Sequence, residues 1–225
     1  MDSPHGAALS AEDFGLKGPR GWAFQGVGFT AGPGSLVAVE GPSGSGRTCL
    51  LLALDVYKRQ LDPSFTVAEH LRERALLRRR FDGSLRSLLR PRAERAATAR
   101  AAIDTALEAA GLDLADLPKA ERTSVRDLER LEALRLSVAL ALMGRPRLLA
   151  VDDTDLKLSA ADRALAWELL RALAAGGTTV LAVCSEAPED ALSVRTRPAA
   201  GTDAPADDIT TGKETADAIA ETGRA

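Results

Sequence analysis

The run Gly41-Pro42-Ser43-Gly44-Ser45-Gly46-Arg47-Thr48 could do chemistry, and so could the adjacent carboxylates Asp152 and Asp153. The octet follows the apolar run Leu36-Val37-Ala38-Val39 and precedes Cys49-Leu50-Leu51-Leu52, which can open a helix. A glycine-rich turn between strand and helix lets successive backbone N–H groups converge on an anion, and the helix start adds positive potential. The candidate phosphate-contacting residues are therefore Gly41, Ser43, Gly44, Ser45, Gly46, Arg47, Thr48 and Cys49. The Thr48 hydroxyl is placed to bind Mg²⁺. Arg47 stands where the phosphate-loop pattern carries lysine. A guanidinium is broad and planar where an ammonium is a compact point charge, so this exchange is not conservative.

The second motif is Arg147-Leu148-Leu149-Ala150-Val151-Asp152-Asp153. A carboxylate at the C-terminal end of a buried parallel strand faces the ligand crevice of such sheets. From there Asp152 can share Mg²⁺ with Thr48, directly or through water. The plainer alternatives are a strand-to-helix turn without a ligand and an aspartate pair that merely begins a surface loop.

Both motifs need a scaffold. Leu36-Val37-Ala38-Val39, Leu148-Leu149-Ala150-Val151 and Thr179-Val180-Leu181-Ala182-Val183 are continuously apolar, as strands buried on both faces are. Helical spacing predicts a helix over 128–143, with Asp127 as its N-cap and Gly144 and Pro146 closing it. A second begins at Ser159 with Asp162 and stops at Gly176-Gly177. Strands alternating with helices predict an α/β fold with a parallel sheet. Residues 67–110 carry no strand signal and predict two or three helices, broken near Asp82-Gly83 and Arg90-Pro91.

Bulk properties narrow the function classes. A net charge of −3 gives no global reason to expect nucleic acid or an acidic surface as partner. The ten arginines between His70 and Arg100 have only Phe81 as an aromatic companion, so solvated helix faces explain them better than base stacking. Cys49 and Cys184 form no metal-ligand spacing and fit free thiols of a reducing cytoplasm. No apolar run is long enough to cross a bilayer, and the first ten residues lack a signal-peptide pattern. Residues 197–225 are poor in large apolar groups, and their composition predicts a disordered acidic tail.

The order of these phrases resembles the ATP-binding cassette (ABC) family over roughly residues 7–192. Gly26-Val27-Gly28-Phe29-Thr30-Ala31-Gly32-Pro33-Gly34 resembles the family's lead-in to its first Walker motif. Asp62-Pro63-Ser64-Phe65-Thr66-Val67-Ala68-Glu69-His70-Leu71 resembles the opening of its helical subdomain, and Gly144-Arg145-Pro146-Arg147 leads into the second Walker motif. The resemblance implies a P-loop NTPase-like parallel sheet flanked by helices over 1–196, with a helical subdomain inserted at about 66–143. It also implies ATP and Mg²⁺ as cofactors, and Asp153 at the position of the catalytic glutamate. A second nucleotide-binding subunit, homo- or heteromeric, and a membrane permease are the implied partners, with the chain peripheral at the cytoplasmic face of the membrane.

Several positions depart from the family pattern. The Leu-Ser-Gly-Gly-Gln signature falls on Leu128-Glu129-Arg130-Leu131-Glu132, which reads as an ordinary amphipathic helix. The switch histidine falls on Ser185, and the adenine-stacking aromatic would fall near Gly18 or Pro19, with Trp22 a few residues away. Gln60 stands for the metal- and water-contacting glutamine after an unusually short segment, and Asp55-Val56-Tyr57-Lys58-Arg59-Gln60 resembles a translated sequencing adapter. The expected function is an ATP-binding subunit of an ABC-type transporter. A pseudo-ATPase module and a defective chimeric fragment stand as alternatives.

Overall fold

Residues along a strand point alternately to opposite faces of its sheet, and this alternation divides the apolar strands between two cores. In the computed structural model, which describes residues 6–19, 21–54, 61–81 and 91–197, the chain opens with an antiparallel hairpin, β1 (Leu9–Gly18) and β2 (Gly21–Ala31). Then come β3 (Leu36–Glu40), α1 (Arg47–Ala53), α2 (Val67–Phe81), α3 (Arg92–Ala109), α4 (Arg130–Leu142) and β4 (Leu148–Val151). The described chain ends with α5 (Ala160–Ala175), β5 (Thr179–Cys184) and β6 (Leu192–Arg195). The parallel sheet runs β4-β5-β3-β6. The expected disordered tail beyond Arg197, the adapter-like run with Gln60 and the break at Asp82-Gly83 lie outside the described residues.

Val37, Val39, Leu181 and Val183 pack on one face with Phe24 and Val27 of the hairpin and Leu50 of α1. Ala38, Val180, Ala182 and Leu149 face the other way, against Leu136 of α4 and Trp167 and Leu170 of α5. All six residues of β5 are buried, because it lies between β3 and β4, with the hairpin and α1 over one face and α4 and α5 over the other. That central place is the structural fact on which the site depends.

The three expected strands are present, and the sheet has a fourth, β6, which the sequence did not announce. Its four residues are exposed apart from Val194, as on an edge strand, so the continuous-apolar signal is missing. The β1–β2 hairpin was missed for a related reason. Its apolar positions are thinned by bulges between Ala11 and Phe14 and again around Leu16, where the alternation breaks.

Among the described residues between β3 and β4, α2, α3 and α4 follow α1 without a strand, and three 3-10 turns lie between α3 and α4. The start of α2 carries a reciprocal cap: the Thr66 N–H donates to Glu69 Oε2 at 2.7 Å, and the Glu69 N–H to Thr66 Oγ1 at 3.3 Å. Asp127 is not the N-cap of α4; it closes a short 3-10 turn, Val125–Asp127, and Glu129 caps the helix. Ser159 does cap α5, accepting from the Asp162 N–H at 3.1 Å. Gly177, at φ 96°, takes the left-handed turn that follows α5.

Candidate functional site

Parallel strands in register bring their C-terminal ends to one edge. Glu40 of β3 pairs with Cys184 of β5 on one side and with Arg195 of β6 on the other, while Val151 of β4 pairs with Ala182. The glycine-rich loop leaves β3 and Asp152 leaves β4 at that same edge, with the end of β5 between them. This is the crevice in which open parallel sheets bind ligands.

The loop is built for close backbone approach. Gly41, Gly44 and Gly46 all have positive φ, at 155°, 80° and 84°. A Cβ at Gly46 would meet the Ala23 carbonyl oxygen at 2.1 Å, so the loop can seat against β2 only with glycine there. Around Gly44 a Cβ would meet nothing within 4 Å, leaving that turn open on its outer side. Ser45 is buried, and its hydroxyl shares a 2.7 Å hydrogen bond with that of Thr196 just after β6. Ser45 therefore pins the loop to the sheet. Ser43 is exposed and Cys49 half-buried within α1.

Thr48 and Asp152 are brought together. The Thr48 hydroxyl lies 3.2 Å from both Asp152 Oδ1 and Oδ2, although 104 residues separate them in the chain. An all-oxygen group of hydroxyl and carboxylate suits a hard cation such as Mg²⁺. Asp152 Oδ1 also accepts the Asp153 N–H at 3.1 Å, and Asp153 has φ 56°, in the left-handed region where aspartate is tolerated at a cost. The second carboxylate thus follows the first around a sharp bend.

Arg47 is turned toward the sheet. Its Nη1 donates to the Cys184 carbonyl at the end of β5. The next residue, Ser185 at the switch-histidine position, is exposed, and its backbone N–H donates to Asp155 Oδ2 at 2.6 Å. Asp155 carried no sequence signal, because its partner is 30 residues away and the contact is set by tertiary packing alone. The Cys184 thiol is pushed up to about 12, first by burial and then by the nearby Asp155 and Glu40 carboxylates, and so is held as an unreactive thiol.

Glu40 ties the base of the edge together. It accepts from Arg195 Nε, from Ser193 Oγ at 2.7 Å and from the Ala187 N–H at 3.0 Å. These donors, the Arg195 bond foremost, lower its carboxyl to about 2. Beside it, Trp22, Gly15, Arg195 and Arg197 line a cavity of about 650 Å³. Trp22 is 43% exposed, with the Lys17 ammonium 5.6 Å from its ring centroid, so it is a surface tryptophan and not a core one. Gly18, where the family's aromatic would fall, closes the hairpin opposite Gly21.

The signature-aligned residues form a helix start. Glu129 and Glu132 make a reciprocal capping box, with the Glu129 N–H donating to Glu132 Oε2 at 2.8 Å. Both carboxylates satisfy backbone donors of their own helix.

No family model and no curated protein matches the sequence. The fold is similar to that of solved ATP-binding cassettes. One, from an ABC transporter in its ADP conformation, is 17% identical, with a TM-score of 0.57 over 79% of this chain and 80% of that one. Another, a dimeric cassette in a post-hydrolysis state with ADP and Pi, is 18% identical, with a TM-score of 0.57 over 80% and 88%. A third is cbiO1 from Clostridium perfringens, part of the ABC transporter complex cbiONQ, 15% identical with a TM-score of 0.55 over 79% and 78%. The chain therefore has the fold of the ABC-transporter ATP-binding cassettes.

Proposed function

We propose that this chain is an ATP-binding subunit of an ABC-type transporter, holding Mg-ATP on the loop 41–48 and hydrolysing it to drive a membrane permease. The observation that carries this reading is the meeting of Thr48 with both Asp152 oxygens at the mouth of a glycine loop. On this reading the loop backbone grips the phosphates, Thr48 and Asp152 hold Mg²⁺, and the cation offsets charge on the phosphoryl oxygens. Asp153 orients the attacking water. The cavity lined by Trp22 and by Arg195, which bonds Glu40 just before the loop, takes the nucleoside end. Residues 66–143 form the subdomain that meets the permease, and the chain works paired with a second nucleotide-binding subunit at the cytoplasmic face of the membrane. In support of a peripheral place, no helix among the described residues is long and apolar enough to cross a membrane.

Two observations favour a second reading, a module that binds nucleotide without useful turnover. The Arg47 guanidinium is engaged by the Cys184 carbonyl, and the signature-aligned residues are a carboxylate-capped helix start. Phosphate release assays on the purified chain, alone and with its pairing subunit, separate the two. Release above background that disappears in Asp153→Asn supports hydrolysis. Saturable Mg-dependent ATP binding with no release selects the module.

A further inference from the structure

The peptide group joining Cys184 and Ser185 is held from both sides. Its carbonyl accepts from Arg47 of the glycine loop, and its N–H donates to Asp155, three residues beyond Asp152. The strand order explains why. With β5 between β3 and β4, its end peptide lies between the loop after β3 and the loop after β4, and both reach it. Thr154, between Asp153 and Asp155, strengthens the tie: its N–H donates to the Val183 carbonyl at 3.0 Å. Two consecutive carbonyls and one amide at this strand end are therefore bonded to the two loops that form the candidate site.

The two bonds on the 184–185 peptide differ in how they respond to a phosphate. A guanidinium bonded to a neutral carbonyl gains strength by moving to an anionic oxygen, because charge-assisted, bidentate pairs are the stronger ones. The Asp155 carboxylate is the acceptor in its bond and gains nothing by turning to a phosphate, which repels it, so it stays on the Ser185 N–H. We propose that Arg47, as a phosphate ligand, and Asp155, as a positioning residue, form a phosphate-sensing junction, in which bound phosphate draws Arg47 off the Cys184 carbonyl and leaves the 184–185 peptide held by Asp155 alone. This rests on the nucleotide-binding reading above. It gives the arginine at the lysine position a role: the broad, planar guanidinium of Arg47 links the phosphate loop to the end of β5 at Cys184, where a lysine would present a compact ammonium with no fixed fork of donors.

Backbone amide exchange at Ser185 tests the junction, with ATP binding to the same preparation measured separately by calorimetry. Without nucleotide, Asp155→Ala speeds Ser185 exchange by roughly tenfold or more, the consequence of losing a bond to a charged acceptor, while amides inside β5 keep their protection. Saturating Mg-ATP speeds Ser185 exchange severalfold in the unaltered chain and leaves it unchanged in Arg47→Ala. Arg47→Lys, which retains the charge, behaves as Arg47→Ala at Ser185 while still binding ATP. Measured ATP binding with no change at Ser185 overturns the junction and leaves the nucleotide reading standing. Absence of ATP binding overturns both.

Discussion

The Thr48 hydroxyl sits 3.2 Å from each carboxylate oxygen of Asp152, across a gap that β5 spans. Neither residue could find the other without the parallel register that aligns the ends of β3, β5 and β4. The pair is therefore a product of the fold, in which some residues build this edge and others use it.

Arg47→Lys should raise ATP affinity severalfold, because an ammonium fits between phosphates and is no longer held by the Cys184 carbonyl. The same change should cost about 1 kcal/mol of stability through loss of that hydrogen bond. Calorimetric titration and a urea melt of the same variant check both halves.

Gly46→Ala should destabilise the fold by about 3 kcal/mol or more, since it combines a left-handed φ of 84° with a Cβ driven onto the Ala23 carbonyl. Gly44→Ala has comparable backbone strain but open space, and should cost about 1 kcal/mol. Comparing their urea midpoints tests whether the loop seats against β2. Gly46 variants are accordingly poor reporters of ligand binding.

How much of this was readable in the sequence depends on the residue. The buried strands declared themselves by unbroken apolar runs, and Ser159 declared the start of α5. Asp127 misled because both it and Glu129 are acidic residues ahead of the same apolar stripe, and only backbone geometry decides between them. Thr48 and Asp152 were legible because motif order implies a shared crevice. Asp155, Glu40 and Thr196 were not, because each acts through a backbone group or hydroxyl that sequence distance conceals.

Glu40 should make stability fall in acid. Its folded-state value of about 2 lies below the ordinary 4.5, so the stabilisation is complete above pH 4.5 and fades as pH falls toward 2. With Arg195 three-quarters exposed, the effect is screened to roughly 1–2 kcal/mol. Glu40→Gln should flatten the fall of the urea midpoint across that window, relative to the unaltered chain.

Glu132→Ala should lower stability by about 1 kcal/mol through loss of the α4 cap, without changing ATP affinity. A shift in affinity larger than the shift in melting would place this helix start at the nucleotide instead.

Magnesium-dependent ATP binding bears most directly on the central claim. Titration of the folded chain with ATP should show saturable binding in Mg²⁺, weakened by a chelator and by roughly ten- to a hundredfold in Thr48→Ala, with circular dichroism unchanged. A well-folded chain that shows no affinity for Mg-ATP at millimolar concentration, or binding indifferent to both Mg²⁺ and Thr48, would contradict it.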